Sequence, residues 1–144
     1  MRRTLAALLL SLAGTAAAGE FRSIGETATP MYDAPSVKAN KLFVASRFYP
    51  VEVIVQVDAW TKVRDVAGDL AWVEKKALSD TRTAIVTATL ADVRDKADDG
   101  APLVFQARRG VALEIVELGA GPWIKVQHRD GQTEFVRASQ VWGL

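Results

Sequence analysis

From Val51 to Val57 the chain alternates, Val-Glu-Val-Ile-Val-Gln-Val, so that Val51, Val53, Val55 and Val57 share one face. A period of two is the mark of a half-buried strand. The stretch Leu113 to Leu118 repeats this pattern, with Leu113 and Ile115 on the same face. Asp58-Ala59 follows the first strand and 119–122 follows the second; both read as turns. A second strand comes next in each case, Trp60 to Arg64 and Trp123 to Gln127. Tryptophan and lysine share one face there, and Val63 or Val126 takes the other. A hairpin turn, 65–68 or 129–131, leads into a short strand, Leu70 to Val73 or Thr133 to Val136. Each unit closes on a polar stretch and one apolar plug, Leu78 or Val141. The polar segments 33–41 and 95–100 read as excursion loops near the start of each unit. No segment holds helical periodicity beyond one turn. The predicted class is all-β, and short strands with closely spaced turns predict small barrels.

The two units are copies. A shift of 62 residues carries Asp33 onto Asp95, Phe43 onto Phe105, Ala45 onto Ala107, Arg47 onto Arg109 and Glu52 onto Glu114. One extra residue then raises the offset to 63, and Trp60 falls on Trp123, Lys62 on Lys125, Gly68 on Gly131 and Val73 on Val136. A repeat of about 60 residues is too long for a solenoid and suits a small domain. The expected organisation is a first barrel over 19–79, a short linker at 80–83 and a second barrel over 84–144, with about five strands each. Val53 and Ile115, Val63 and Val126, and Val73 and Val136 are expected at equivalent buried positions. Phe43, Phe105, Trp72 and Phe135 are expected in the cores, and Trp142 at an open barrel end.

The N-terminus departs from this pattern. Arg2 and Arg3 precede an apolar run from Leu5 to Leu12, and Ala16-Ala17-Ala18 offers a small-x-small cleavage site. Residues 1–18 are therefore expected to be a signal peptide cut before Gly19. The run is too short to span a bilayer, which takes about 20 residues. Removing its two arginines from the 18 basic residues leaves 16 against 17 acidic ones, a net charge of −1. No basic field remains to hold nucleic acid or anionic lipid, and no membrane insertion is expected after cleavage. The chain has no cysteine, so an exported location in the periplasm or outside the cell brings no disulfide. Each small domain must then rest on its hydrophobic core.

The order Trp-x-Lys-Val, turn, aromatic-Val, final apolar residue resembles the C-terminal half of a Src-homology-3 domain. Pro30-Met-Tyr-Asp33 is similar to the opening of that fold. The tandem copies behind a signal segment resemble the bacterial form of the domain, found in exported, cell-wall-associated proteins. The resemblance covers about 26–144 and implies SH3-like barrels with a loop-lined groove. In eukaryotic members that groove takes polyproline through stacked aromatics. Trp60 and Trp123 match the groove tryptophan, and Tyr32 matches one groove tyrosine, where the second copy has Arg94. Ala34 and Lys96 replace the second opening tyrosine. Glu74 and Ala77, then Arg137 and Gln140, replace the proline and tyrosine that follow the aromatic-Val pair. The aromatic floor for polyproline is incomplete.

Catalytic chemistry is hard to assemble from these residues. The one histidine, His128, sits beside a hairpin turn, and no phosphate-binding glycine loop or Gly-x-Ser-x-Gly occurs. Asp92, Asp95, Asp98 and Asp99 do not have the spacing of a calcium loop. No enzyme activity, metal or cofactor is expected. The candidate ligand-binding residues are Tyr32, Trp60, Arg94 and Trp123. A tryptophan face can stack on a sugar ring, anchor a protein interface or simply seal loops. Two function classes follow. One is a pair of modules holding cell-wall peptidoglycan, glycan or stem peptide, with gain by avidity. The other is a periplasmic protein–protein adaptor without glycan affinity. The oligomeric state is left open.

Overall fold

The structure, a computed structural model, describes residues 19–119, 121–127 and 131–144. The expected signal segment 1–18 and His128 lie outside the described residues. The first sheet contains β1 (Glu20–Ile24), β2 (Thr29–Tyr32), β3 (Lys41–Ala45), β4 (Pro50–Val57), β5 (Trp60–Arg64), β6 (Leu70–Glu74) and β7 (Leu78–Ser79). The second contains β8 (Thr83–Val86), β9 (Leu90–Arg94), β10 (Leu103–Arg108), β11 (Ala112–Glu117), β12 (Trp123–Gln127), β13 (Thr133–Arg137) and β14 (Val141–Trp142). The strand orders are identical, β3-β2-β6-β5-β4-β1-β7 and β10-β9-β13-β12-β11-β8-β14, and all pairings are antiparallel. A single 3-10 turn, Lys75–Ala77 or Ala138–Gln140, precedes the last strand of each. Each sheet has seven strands where about five were expected. The additions are the opening strand β1 or β8 and the two-residue strand β7 or β14 that pairs with it.

Each sheet rolls around one core. In the first, Ala45 on β3 joins Ile24 on β1, from opposite parts of the sheet, in one cluster with Met31, Val51, Val63 and Val73. In the second, Val86, Val93, Val126 and Val136 are central. Val63, Val73, Val126 and Val136 are all buried, as the alternation predicts. Burying each valine stabilises by roughly 1.5–3 kcal/mol. Val53 and Ile115 are only half-buried. The β4–β5 register shifts between Val53 and Val55, and the β11–β12 register between Ile115 and Glu117. A bulge turns the strand, so the alternation beyond it no longer faces the core, and Val55 and Val57 are exposed.

Trp72 and Phe135 are not core residues. Ala71 and Val73, or Glu134 and Val136, take the inward positions, and strand parity sends the aromatic between them outward. Phe43 and Phe105 are half-buried at the margins of the two cores. The junction between the sheets is tied down by polar and aromatic contacts. The Thr83 hydroxyl donates to the Phe48 carbonyl at 2.6 Å, and the Ser23 hydroxyl donates to the Thr81 carbonyl at 2.7 Å. Arg82 donates to the Gly143 carbonyl at 3.0 Å and stacks on Phe21, and Arg22 pairs with Asp80. Trp142 meets Phe21 edge-on, with ring centroids 5.3 Å apart, so it packs against the first barrel. Gly143 has φ +116, and a Cβ there would lie 2.8 Å from the Thr83 carbonyl oxygen, so glycine is required at this contact.

Candidate functional site

The outward face of β5 and β6 in the first barrel carries Trp60, Lys62, Trp72 and Glu74, each half-buried. Trp60 stands opposite Glu74 and Lys62 opposite Trp72, with the Lys62 ammonium 5.9 Å from the Trp72 ring. Tyr32 is buried, with 5 % exposure, and meets Trp60 edge to face at 5.4 Å. It therefore buttresses Trp60 from behind. The accessible face belongs to Trp60, which lines a groove of about 600 Å³ with Val37, Ala59, Glu74, Lys75 and Lys76. A smaller concavity of about 120 Å³ reaches Tyr32 and shares Glu74 and Lys76 with the groove. The Lys76–Glu74 ion pair, at 3.2 Å, forms the ridge between them. Lys75 has no ion-pair partner among the described residues. The groove thus offers an indole face, an apolar loop residue and an uncompensated ammonium.

The same place in the second barrel is built differently. Trp123 stands opposite Arg137, the counterpart of Glu74. The guanidinium lies over the indole, 4.8 Å from its centroid. Arg137 is held there by Asp99, the counterpart of Val37, through an Nε–Oδ1 hydrogen bond of 3.0 Å and a second, shorter contact from Nη2. The hydrogen bond from Arg137 holds the Asp99 carboxyl below its ordinary range, and Asp99 in turn raises Arg137. A separate concavity of about 230 Å³ borders Trp123 on the side of Lys125 and Phe135, and neither Asp99 nor Arg137 lines it. Arg94 does not present its charge to this space. It donates to the Ala101 carbonyl at 2.8 Å and pairs with Asp92 at 3.3 Å, stapling the loop that carries Asp99.

Of the four residues expected from sequence, Tyr32 and Trp60 come together. Trp123 occupies the equivalent place in the other barrel, and Arg94 supports a loop. Val37, Lys75 and Lys76 in the first groove, and Arg137 and Asp99 in the second, are not among the ligand-binding residues expected from sequence. The repeat carried a signal for the last two: the exchanges Val37/Asp99 and Glu74/Arg137 together create an opposite-charge pair in one copy only. Among the described residues, no group of three His, Cys, Asp or Glu side chains is placed to hold a metal ion. No described helix is long and apolar enough to cross a membrane.

The family described as bacterial SH3 domain matches this chain twice, over residues 25–80 and 87–143. No curated protein matches it. Among solved structures, it is similar to NlpC1 from Trichomonas vaginalis, with 14 % identity and a TM-score of 0.40 over 95 % of this chain and 50 % of that one. NlpC2 from the same organism shows 12 % identity and a TM-score of 0.39 over 87 % of this chain and 48 % of the other. An NlpC/P60 family protein from Bacillus cereus shows 14 % identity and a TM-score of 0.37, over 85 % and 56 %. The chain spans about half the length of each.

Proposed function

Because this chain belongs to the bacterial SH3 domain family, with two copies in tandem, we propose that it is a non-catalytic, exported module that binds cell-wall peptidoglycan through its first barrel. The observation that carries this reading is the open face of Trp60, bordered by Val37 and by Lys75, whose ammonium has no ion-pair partner among the described residues. An indole face stacks on the apolar face of a sugar ring, and a neighbouring ammonium orients an acidic or hydroxyl-rich ligand. Peptidoglycan carries both kinds of group. The second barrel, with Arg137 stacked on Trp123 and anchored by Asp99, contributes less to binding.

The test is co-sedimentation with insoluble peptidoglycan of the wild type, Trp60→Ala and Trp123→Ala. The expected result is retention of the wild type and of Trp123→Ala, with loss for Trp60→Ala and no change in its far-ultraviolet spectrum. A wild-type protein that stays in the supernatant contradicts the wall reading and favours a periplasmic protein partner.

A further inference from the structure

On the other side of Lys75 from the tryptophan groove lies a second concavity of about 390 Å³, lined by Arg22, Gln56, Thr61, Lys75, Leu78 and Asp80. The internal repeat supplies a control for it. The structurally equivalent residues of the second barrel are Ala84, Leu118, Ile124, Ala138, Val141 and Gly143. Five of the six first-barrel residues are polar, and none of their counterparts is. The second barrel therefore shows that the fold requires no polar group at these positions.

Thr61 makes the contrast sharpest. It is fully buried, at 0 % exposure, and its hydroxyl has no hydrogen-bond partner among the described residues. A buried polar atom without a partner is destabilising, and Ile124 holds the same site without that penalty. Gln56 lies directly across the strand pair from Thr61, is exposed, and shares no side-chain hydrogen bond with another described residue. Lys75 is exposed and lacks a counter-ion among the described residues. Arg22 is already neutralised by Glu20 and Asp80. The groups without a protein partner among the described residues are thus one exposed ammonium, one exposed amide and one buried hydroxyl, a set that complements a carboxylate with a hydrogen-bonding neighbour.

We propose that this polar pocket is a carboxylate-binding subsite, joined through Lys75 to the Trp60 groove, so that one wall-derived ligand lies on the indole and places its acid group against Lys75, Gln56 and Thr61. The proposal rests on the wall-binding reading above and names the group recognised. The Thr61 hydroxyl is buried, so its contact with the acid requires neighbouring side chains to move, the exposed Gln56 across the strand pair among them. The carboxylate is the lactyl acid of a muramic sugar that carries no stem peptide, or the C-terminal acid of a stem peptide; the two share the same chemistry.

The experiment measures dissociation constants of the full-length purified protein by heteronuclear NMR titration. The probes are N-acetylmuramic acid against neutral N-acetylglucosamine, and N-acetyl-D-alanyl-D-alanine against its C-terminal amide. At least one acid is expected to bind about 5-fold or more tightly than its neutral counterpart, the discrimination of one charge-assisted contact. Which acid does so identifies the source. Thr61→Val keeps the volume and removes only the hydroxyl, and Lys75→Ala removes the charge. Each should bring the ratio toward one while leaving the fold intact, and Ser139→Ala in the second barrel should not change it. Equal binding of acids and neutral counterparts by the wild type, or an undiminished ratio in both variants, overturns the subsite. Trp60-dependent sedimentation with a flat ratio removes only the subsite; absence of sedimentation removes the wall reading itself.

Discussion

The two barrels share strand order, register and buried valines, yet their grooves are opposites. In the first, Trp60 faces a concavity of about 600 Å³ between Val37 and Lys75. In the second, Trp123 lies under Arg137, which is clamped by Asp99. Two side-chain exchanges account for most of the contrast, Val37 for Asp99 and Glu74 for Arg137. The lesson is that a duplicated fold keeps its core and diverges at the rim, where a pair of complementary charges can close a groove without touching the interior.

The largest expected effect is at the tryptophans. Trp60→Ala should lower peptidoglycan retention by about 10-fold, the loss of a central aromatic anchor, and Trp123→Ala by less than about 2-fold. Equal losses from both variants would erase the functional contrast. A transplant sharpens it further. Val37→Asp with Glu74→Arg should build the clamp over Trp60 and reduce retention about 5-fold, while Asp99→Val with Arg137→Glu should uncover Trp123 and increase it modestly. Unchanged retention in both double variants would mean that the clamp has no bearing on binding.

The cores should respond alike. Val63→Ala and Val126→Ala should each cost roughly 1–3 kcal/mol in urea melts, because both are buried to 1 % exposure or less. Trp60→Ala loses its edge-to-face contact with Tyr32, a term of about 0.5–1.5 kcal/mol beyond area burial, so its melting temperature should fall less than that of Val63→Ala. The smallest effect concerns pH. The folded-state Asp99 carboxyl lies below its ordinary value of 3.8, so its contribution to the clamp is present above that value and is lost as pH falls through the depressed one. A carboxyl-carbon NMR titration should place Asp99 below its ordinary value, and Arg137→Gln should return it to the ordinary range. Identical midpoints in wild type and variant would show that the ion pair does not form.

Most of the fold was legible because it is written in period-two alternation and written twice. The inward positions Val63, Val73, Val126 and Val136 follow from parity alone. The same parity, applied strictly, sends Trp72 and Phe135 outward, whereas their place just after the last hairpin reads as core. The outer half of β4 misled for a different reason: Val55 and Val57 continue an apolar pattern past a bulge that the pattern does not encode. In the proposed groove, Trp60 follows from the repeat and the family resemblance. Arg94 could not be placed, since a cation in a loop-flanking strand serves a backbone carbonyl as readily as a ligand. The clamp involves residues 38 positions apart, and only comparison of the two copies brings them into one view.

The central claim is that recognition belongs to the first barrel. The most direct measurement is a heteronuclear NMR titration of the wild-type protein with soluble peptidoglycan fragments, reading each barrel separately. The account predicts saturable shifts at Val37, the Trp60 indole, Lys75 and Lys76, with the Trp123 indole and Arg137 signals left in place. Shifts of equal size at Trp60 and Trp123, or shifts centred on Trp123, would contradict it.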